Sequence, residues 1–543
     1  MCEICSKFAA EYSTLKNIQM SDIPNHNITP SQIPQGYTMP PMRPKAVGWQ
    51  ARFMRNYGMG AYAQKRDYRI PSWLIGRSVL FFFIALIACL VVYGYVPGMD
   101  LLLTACVSIV VFFFGAQSMA NSWAKASEKR FLRNVFITGL LIRLVWIIYL
   151  YFVFNPNHYG NTFGDTADTQ WYMAFGRDLA AWMRGDVALP LSGVIDRNMA
   201  AIDDIGYPMW LGVVYFLTGD ISDVFIPFVV KSIVGAYCAT LVYRVAKRHF
   251  GIGAARIAAI FVCLNPNIIY WCGTMMKEAE MVFVVCLAVD KLDEALSSGK
   301  KLTFRALLPG LLAGLYLFFF RDALGMALFL GVAAHVVMAS NKVLSLGKKI
   351  IAGVLIAATL LVAMGDRLLT RSEQLLSVVQ SDAQQENMEW RGEREGGNEL
   401  AKYAGAAVFA PLIFTIPFPT FNEANVSQLV QVQLSGGSFI KNIFSFFVIV
   451  VMVLFLISGE WRKHVFIIAY TCAYLVVLTF SGFAQSGRFH MPIWPMLMLF
   501  AGYGVQLARG NKRLRMGFIL VLILEVIICL GWNWFKLKGR GMI

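Results

Sequence analysis

Charged residues are scarce in this chain, at 15% of its 543 residues, whereas hydrophobic residues make up 57%. A soluble protein of this length needs far more polar surface. The composition therefore excludes a soluble globular enzyme and predicts a polytopic membrane protein. The N-terminal segment up to residue 70 contains no long apolar run, so we do not expect a secretory signal peptide in it.

Motifs for soluble substrates are also missing. The sequence has no P-loop, no glycine-rich dinucleotide fingerprint after a strand and no convincing metal-ligand cluster, which leaves soluble nucleotide substrates unsupported. Cys2 and Cys5 form a C-x-x-C pair without the second pair that a zinc site needs nearby. The net charge of +16 does not predict nucleic-acid binding, because most Lys and Arg lie in short loops, where they orient a membrane protein.

Long apolar runs predict an all-α membrane protein with about 13 spanning helices. The predicted spans are 74–96, 101–121, 133–154, 223–245, 253–271, 280–297, 306–320, 323–341, 349–366, 439–458, 465–481, 491–508 and 515–533. Basic loops such as "KASEKRFLRN" and "RVAKRHF" then share one side with the N-terminus, and the positive-inside rule makes that side cytoplasmic. "YPMWLGVVYFLTG" (207–219) is too short to span, and counting it would invert every later loop. It therefore predicts a helix lying along the outer surface.

The same pattern divides the chain into regions. They are a cytoplasmic polar segment (1–72), an N-terminal transmembrane hairpin (73–132), a core (133–366) that contains the first outer loop (155–222), a long outer loop (367–438) and C-terminal transmembrane helices (439–543). Within the long loop, "FAPLIFTIPFPTF" is broken by prolines, which favours an interfacial or re-entrant segment over a span. No clear internal repeat is visible, which weakens a transporter interpretation.

Charged residues from distant segments share the predicted outer face. They are Asp165 and Asp168 in the first loop, Lys277, Glu278 and Glu280 in "KEAE", Arg321 and Asp322 in "FRDA", and Arg488 and His490 in "GRFH". A carboxylate suits the removal of a proton from an acceptor hydroxyl, and Arg and Lys suit a phosphate leaving group. The combination predicts a reaction centre for a lipid-linked phosphate, whose tail can lie in the bilayer.

Several charged residues fall inside predicted spans, where a charge costs roughly 2.5–3.5 kcal/mol on insertion scales, and three of them are considered for a role. Arg143 lies about 15 Å along its predicted helix at 1.5 Å per residue, and Glu525 lies near the middle of the last one. A functional role for these two stays open, and we favour a structural one, in which the long side chains extend towards the membrane surface or Arg143 pairs with Glu525. Lys231 lies nearer the outer end of its helix and can reach towards the outer face.

The order of several short motifs resembles the GT-C glycosyltransferases that use polyprenyl-phosphate-linked sugars, above all the family 39 group with the protein O-mannosyltransferases and lipid A aminoarabinose transferases. "IRLVW" matches the family's RL pair, and "DTQWYMAFGRDL" places Asp168 four residues before Tyr172. The "GYPMW" helix, Lys231 and "SGRFHMPIWPMLMLF" follow in family order. The resemblance covers roughly residues 133–510. One departure is Thr169, which stands where the family has Glu, and this leaves open whether Asp165 takes part.

The resemblance implies a GT-C-like catalytic core in residues 133–366 and a cell-envelope enzyme of glycan biosynthesis. Asp168, with Asp165, would be catalytic. The implied substrate-binding residues are Lys231, Lys277, Glu278, Arg321, Arg488, His490 and Tyr172. The partners would be a polyprenyl-phosphate-linked sugar donor, a glycan, lipid or protein acceptor and membrane lipids. The location would be a bacterial inner membrane, with the active site periplasmic.

Two alternatives stay open beside this interpretation. A polysaccharide polymerase or ligase that uses an undecaprenyl-pyrophosphate glycan would share the architecture and the cations, but would depend more on Arg and His than on Asp168. A flippase or transporter of lipid-linked sugars would need mid-membrane polar residues on several helices and internal symmetry. No cofactor is certain, and a divalent cation, Mg²⁺ or Mn²⁺, held by the outer acids is a further alternative.

Overall fold

A computed structural model describes residues 49–59, 69–154, 156, 166–198, 204–219, 224–297, 303–338, 410–422, 430–480 and 484–543. The chain divides into two units, Met1–Arg52 and Phe53–Ile543, and the second unit carries the features described below. Across the described ranges the regular structure is helical and contains no strand. This confirms the predicted all-α class.

The helices are numbered here in chain order. They are α1 (Trp49–Tyr57), α2 (Ser72–Tyr93), α3 (Met99–Ser122), α4 (Glu128–Tyr149), α5 (Thr166–Arg184), α6 (Leu191–Arg197), α7 (Gly206–Thr218), α8 (Phe225–Cys263), α9 (Pro266–Tyr270), α10 (Glu278–Ser297), α11 (Phe304–Leu317), α12 (Asp322–Met338), α13 (Val430–Gln433), α14 (Ser435–Ser458), α15 (Val465–Phe480), α16 (Gly487–His490), α17 (Trp494–Ala508) and α18 (Lys512–Lys538). Helix α4 continues into a π-helical turn, Leu150–Phe154.

Among the described residues, seven helical stretches are long and apolar enough to cross a membrane. They are Ser72–Tyr93, Met99–Ser122, Glu128–Phe154, Phe225–Cys263, Ser435–Ser458, Gly487–Ala508 and Lys512–Lys538. Large apolar side chains lie exposed along several of them, including Val91, Val145 and Leu520. A surface of this kind is costly in water and suits contact with lipid tails. These features are those of a helical membrane protein.

Each predicted span within the described residues has a helix at its position, and span 349–366 lies outside them. The predicted span 223–245 falls on α8, and the predicted span 253–271 covers the last part of α8 and all of α9. Helix α8 is broken by a non-helical Gly251 at φ 81°, a conformation that glycine adopts without a steric penalty. The short run 207–219 forms α7, as predicted. The total of 13 spans, the surface position of α7 and the region boundaries stay predictions.

Helix α17 lies at the centre of the bundle, where it packs against α8 and α14. Two glycines allow these helices to approach closely. A Cβ added at Gly502 would lie 2.9 Å from the backbone nitrogen of Ala258, and one at Gly504 would lie 2.7 Å from the Cβ of Phe447. Small residues commonly bring membrane helices into contact. This packing holds the start of α17 in place, and with it the preceding short helix α16, which contains Arg488.

The proline-broken segment around residues 410–422 forms a short 3-10 turn, Ala410–Leu412, followed by non-helical backbone. Side chains of neighbouring helices take up its polar groups. Asn442 donates to the carbonyl of Pro417 at 3.0 Å, and Asn533 accepts from the amide of Phe421 at 2.8 Å. Non-helical backbone inside a helical bundle needs partners of this kind. The described residues of this segment thus form no helix long enough to span, and its interfacial or re-entrant position stays a prediction.

The predicted pairing of Arg143 with Glu525 is wrong. The Arg143 guanidinium is fully buried and donates to the carbonyl oxygens of Gly139 at 2.9 Å and Cys263 at 3.2 Å. The Glu525 carboxylate instead accepts from the thiol of Cys529, with 3.6 Å between sulfur and oxygen. Hydropathy gives the depth of a charged residue along its helix but does not indicate which neighbour its side chain faces.

The part of α8 before Gly251 and helix α10 carry a group of charges near each end. At one end Lys231 lies 3.4 Å from Glu280, and at the other Arg248 lies 2.6 Å from Asp293. The pairing order means that the first part of α8 and α10 run in the same direction. Lys231 and Arg248 are separated by about 25 Å at 1.5 Å per residue. We call the two groups the Arg488 cluster (Asp168, Tyr172, Asp204, Lys231, Lys277, Glu278, Glu280, Arg321, Arg488) and the Asp293 cluster (Arg244, Arg248, His249, Asp290, Asp293, His464).

Candidate active site

Helix α5 supplies one wall of the Arg488 cluster. Asp168 and Tyr172 are one helical turn apart, so they share a face of α5. That helix packs on α7 through close contacts at glycines: a Cβ at Gly212 would lie 2.8 Å from the Cβ of Leu179. The buried Tyr172 ring meets the Tyr207 ring edge to face at 5.2 Å. The α5–α7 pair thereby holds the first turn of α5 in place.

Lys231 organises the loop before α10. Its fully buried ammonium donates to the carbonyl of Thr274 at 2.7 Å and to that of Met276. It also lies 3.4 Å from a carboxylate oxygen of Glu280. These partners position the loop that leads into Lys277 and Glu278. Lys231 therefore holds the backbone on which Lys277 and Glu278 lie. Whether it also contacts a donor phosphate is not tested by these contacts, and that role stays a prediction.

Arg488 links two acids that are far apart in sequence. Its Nη1 lies 2.7 Å from Oδ2 of Asp168, and its Nε donates to Oε1 of Glu278. Glu278 is fully buried and Arg488 is 18% exposed, whereas 47% of the Asp168 side chain is exposed. A buried carboxylate thus holds the guanidinium from behind, and the guanidinium in turn orients an exposed carboxylate.

A second pair beside the first has the same form. Lys277 contacts Oδ1 of Asp204 and donates to the carbonyl of Phe320 at 2.9 Å. The lysine is 8% exposed and Asp204 is 41% exposed. Tyr172 donates to the same Asp204 oxygen at 3.3 Å. In each pair the acid is accessible while the cation lies deeper and is fixed by another group.

Burial shifts the proton affinities of these groups. Desolvation lowers the pKa of Lys277 below its usual value, an effect that the Asp204 carboxylate opposes and the nearby Arg321 reinforces. Burial also raises the pKa of the Tyr172 phenol, and Asp204 and Glu278 raise it further. Tyr172 therefore stays a neutral hydrogen-bond donor at physiological pH.

Arg321 completes the group of cations. Its Nη1 donates to the hydroxyl of Tyr474 at 3.1 Å, and its guanidinium lies 4.0 Å from the centre of the Phe489 ring. The Tyr474 hydroxyl donates to the Phe489 carbonyl at 2.7 Å, which ties this wall to the residue after Arg488. Within the described part of the chain, no carboxylate forms an ion pair with Arg321.

One predicted site residue, His490, is not brought into the cluster, and a second, Asp165, lies outside the described residues. The ring of His490 is fully buried, and its Nε2 donates to the carbonyl of Ala484 at 2.6 Å. Among the described residues no three His, Cys, Asp or Glu side chains are grouped as metal ligands, and the divalent-cation alternative stays open.

Asp204 is the site residue that the sequence analysis missed. It belongs to the run "AIDDIGYP", directly before the predicted surface helix, and this position was the available signal. Its partner could not be found in the sequence, because Lys277 reaches it only through the packing of α5, α7 and the loop before α10.

Compared with models of known protein families and with curated proteins, the sequence matches none. The basis for a function is therefore the chemistry of the cluster. Accessible carboxylates can accept a proton, and buried Lys and Arg side chains can bind an anion by charge-assisted hydrogen bonds. Both kinds of group lie together near the same end of the first part of α8 and of α10.

Proposed function

We propose that the protein is an integral membrane glycosyltransferase of the GT-C type. It moves a sugar from a polyprenyl-phosphate donor to a glycan, lipid or protein acceptor at the periplasmic face of a bacterial inner membrane. The observation that carries the proposal is the chain from buried Glu278 through Arg488 to the accessible Asp168. It combines a base and a phosphate-binding cation in one rigid unit.

In this reaction Asp168 takes the proton of the acceptor hydroxyl. The acceptor oxygen forms a bond to the anomeric carbon, and the bond from that carbon to the phosphate oxygen breaks. Arg488, Lys277 and Arg321 stabilise the negative charge that collects on the departing polyprenyl phosphate. Glu278 holds Arg488, and Lys231 holds the backbone that presents Lys277 and Glu278.

The proposal is tested by mass spectrometry of polyprenyl-linked sugars and cell-surface glycans, in cells with and without the gene. We expect deletion to cause accumulation of one lipid-linked monosaccharide and loss of one residue from a surface glycan. Wild-type protein and Asp196→Asn should restore the glycan, and Asp168→Asn should not. Asp196 is an exposed residue of α6 and provides a charge-matched control. Unchanged lipid-linked sugars and glycans after deletion would disprove the proposal.

The same strains separate the alternatives. A polymerase or ligase predicts that Asp168→Asn keeps full activity while Arg488→Ala abolishes it. A flippase predicts that purified protein in liposomes moves the lipid-linked sugar without changing its covalent structure. The direct contact between Asp168 and Arg488 favours the transferase, because a transferase needs both side chains.

A further inference from the structure

We propose that Asp204 competes with the donor phosphate for Lys277: it pairs with the ammonium in the free enzyme and is displaced when the phosphate binds. This inference rests on the proposed function, since it concerns how the same site takes up its donor. It assigns to Asp204 a positioning role that affects donor affinity.

Of the two contacts that Lys277 makes, the one with Asp204 is the one that a phosphate could replace. Lys277 has two partners, the main-chain carbonyl of Phe320 and the Asp204 carboxylate. The carbonyl is part of the buried backbone between α11 and α12. Asp204 is 41% exposed, so water solvates its carboxylate once it leaves the lysine. Exchange at this position costs little desolvation, whereas loss of the Phe320 contact would disturb the fold.

Arg321 gives a phosphate an advantage over the carboxylate. It lies next to Phe320 in the chain, and its charge is close enough to disfavour the protonated form of Lys277. Its partners are the Tyr474 hydroxyl and the Phe489 ring, both uncharged. A phosphate between Lys277 and Arg321 would be held by two cations, whereas Asp204 is held by one. Phosphate oxygens also form strong charge-assisted bonds with both side chains.

Displacement would leave Asp204 beside Tyr172, whose hydroxyl already donates to it at 3.3 Å. Tyr172 shares a face of α5 with Asp168. Binding of the donor would thus release a second accessible carboxylate next to the proposed base. An acceptor hydroxyl that enters afterwards would meet two acids in place of one, which predicts that the donor binds before the acceptor.

The experiment measures the affinity of undecaprenyl phosphate for the full-length protein in nanodiscs by native mass spectrometry. Removing the competing charge in Asp204→Asn should tighten binding by about tenfold, as expected when one charge-assisted contact becomes available. A second neutral variant, Asp204→Ser, should give the same gain. Asp204→Glu, which keeps the carboxylate, and Asp196→Asn, which removes a charge elsewhere in the same region, should bind as the wild type does.

The gain must also depend on Lys277. In a Lys277→Gln background, Asp204→Asn should produce no tightening, whereas a nonspecific charge effect would persist there. Equal or weaker binding by both neutral Asp204 variants would overturn the inference while leaving the proposed function intact. Failure of the wild-type protein to bind undecaprenyl phosphate would overturn the proposed function itself, so the two failures are distinguishable.

Discussion

The part of α8 before Gly251 and helix α10 carry a charge cluster near each end, and the two clusters differ in which of their charged residues are accessible. In the Asp293 cluster the carboxylates of Asp290 and Asp293 are fully buried, whereas Arg248 and Arg244 are partly exposed. In the Arg488 cluster Glu278 is fully buried as well, but the cations Arg488 and Lys277 are also largely buried, and the accessible members are the acids Asp168 and Asp204. The same residue types therefore present a basic surface at one end and acids at the other.

Under the proposed function, this difference separates a structural cluster from a reactive one. Asp293 accepts hydrogen bonds from Arg248 at 2.6 Å, His249 at 2.7 Å and Ser297 at 3.1 Å. Its oxygens are thus occupied by protein donors and closed to a substrate. Asp168 has one strong partner and an exposed face, which leaves it available to accept a proton. The number of protein partners and the exposure of an acid distinguish the two clusters better than their composition does.

The largest expected effect tests this contrast at Asp168. Asp168→Asn should lower the transferase rate by about 10²–10⁴-fold, the usual contribution of a general base. It should leave the midpoint of thermal unfolding nearly unchanged. Asp168 is 47% exposed and Arg488 keeps its contact with Glu278, so the lost pair should contribute about 0–1 kcal/mol. The rate is measured with purified protein in nanodiscs, and Asp196→Asn is the control. If the variant instead lost its activity because the protein unfolds, with a large decrease in the unfolding midpoint, Asp168 would be a structural acid like Asp293.

The next effect is expected at Asp293. Asp293→Asn leaves Arg248 without its closest carboxylate inside a buried network, and breaking such a pair costs about 3–5 kcal/mol. Thermal unfolding in detergent should show a large decrease in the midpoint. Glu294→Gln is a matched control on the same helix, because its pair with Lys291 is largely exposed and should matter little. Equal effects of the two variants would mean that burial does not distinguish these acids.

Sequence patterns were enough to predict the helical class and the helix positions, because an apolar run of about 20 residues is typical of a membrane helix. They also predicted that Asp168, Lys277, Arg321 and Arg488 lie on the same side of the membrane. They did not predict the partners. Asp204 reaches Lys277 through tertiary packing, and Arg143 turns to the carbonyl oxygens of Gly139 and Cys263 rather than to Glu525. Hydropathy gives position along a helix but not direction around its axis.

A third prediction concerns pH dependence at the Asp293 cluster. His464 lies 2.8 Å from His249, nitrogen to nitrogen. Burial, with His249 and Lys463 adding to it and Asp293 opposing it, lowers the pKa of His464 from its ordinary value to about 3. The unfolded chain therefore binds a proton here at a higher pH than the folded protein does. Stability from this group is complete above the unfolded value and is lost as the pH falls below it.

The expected slope is about 1.4 kcal/mol per pH unit for one proton, between pH 6 and pH 4. It is measured as the dependence of the unfolding midpoint on pH, in the wild type and in His464→Gln. The variant should show a shallower decline because it cannot take up this proton. An identical pH dependence in the two proteins would exclude His464 as its source and leave the acids of the cluster to account for it.

The smallest effect is expected at the exposed edge of the same end, where Lys247 lies 2.7 Å from Glu128 and both side chains are about half exposed. This pair resembles Arg248–Asp293 in charge and distance but differs in burial. Lys247→Gln should therefore lower the free energy of unfolding by less than about 1 kcal/mol, and added salt should remove even that difference, because screening acts on solvent-exposed charges. Unfolding measured at low and high salt tests this. A salt-independent loss as large as that of Asp293→Asn would show that charge pairing alone, without burial, stabilises this end of the molecule.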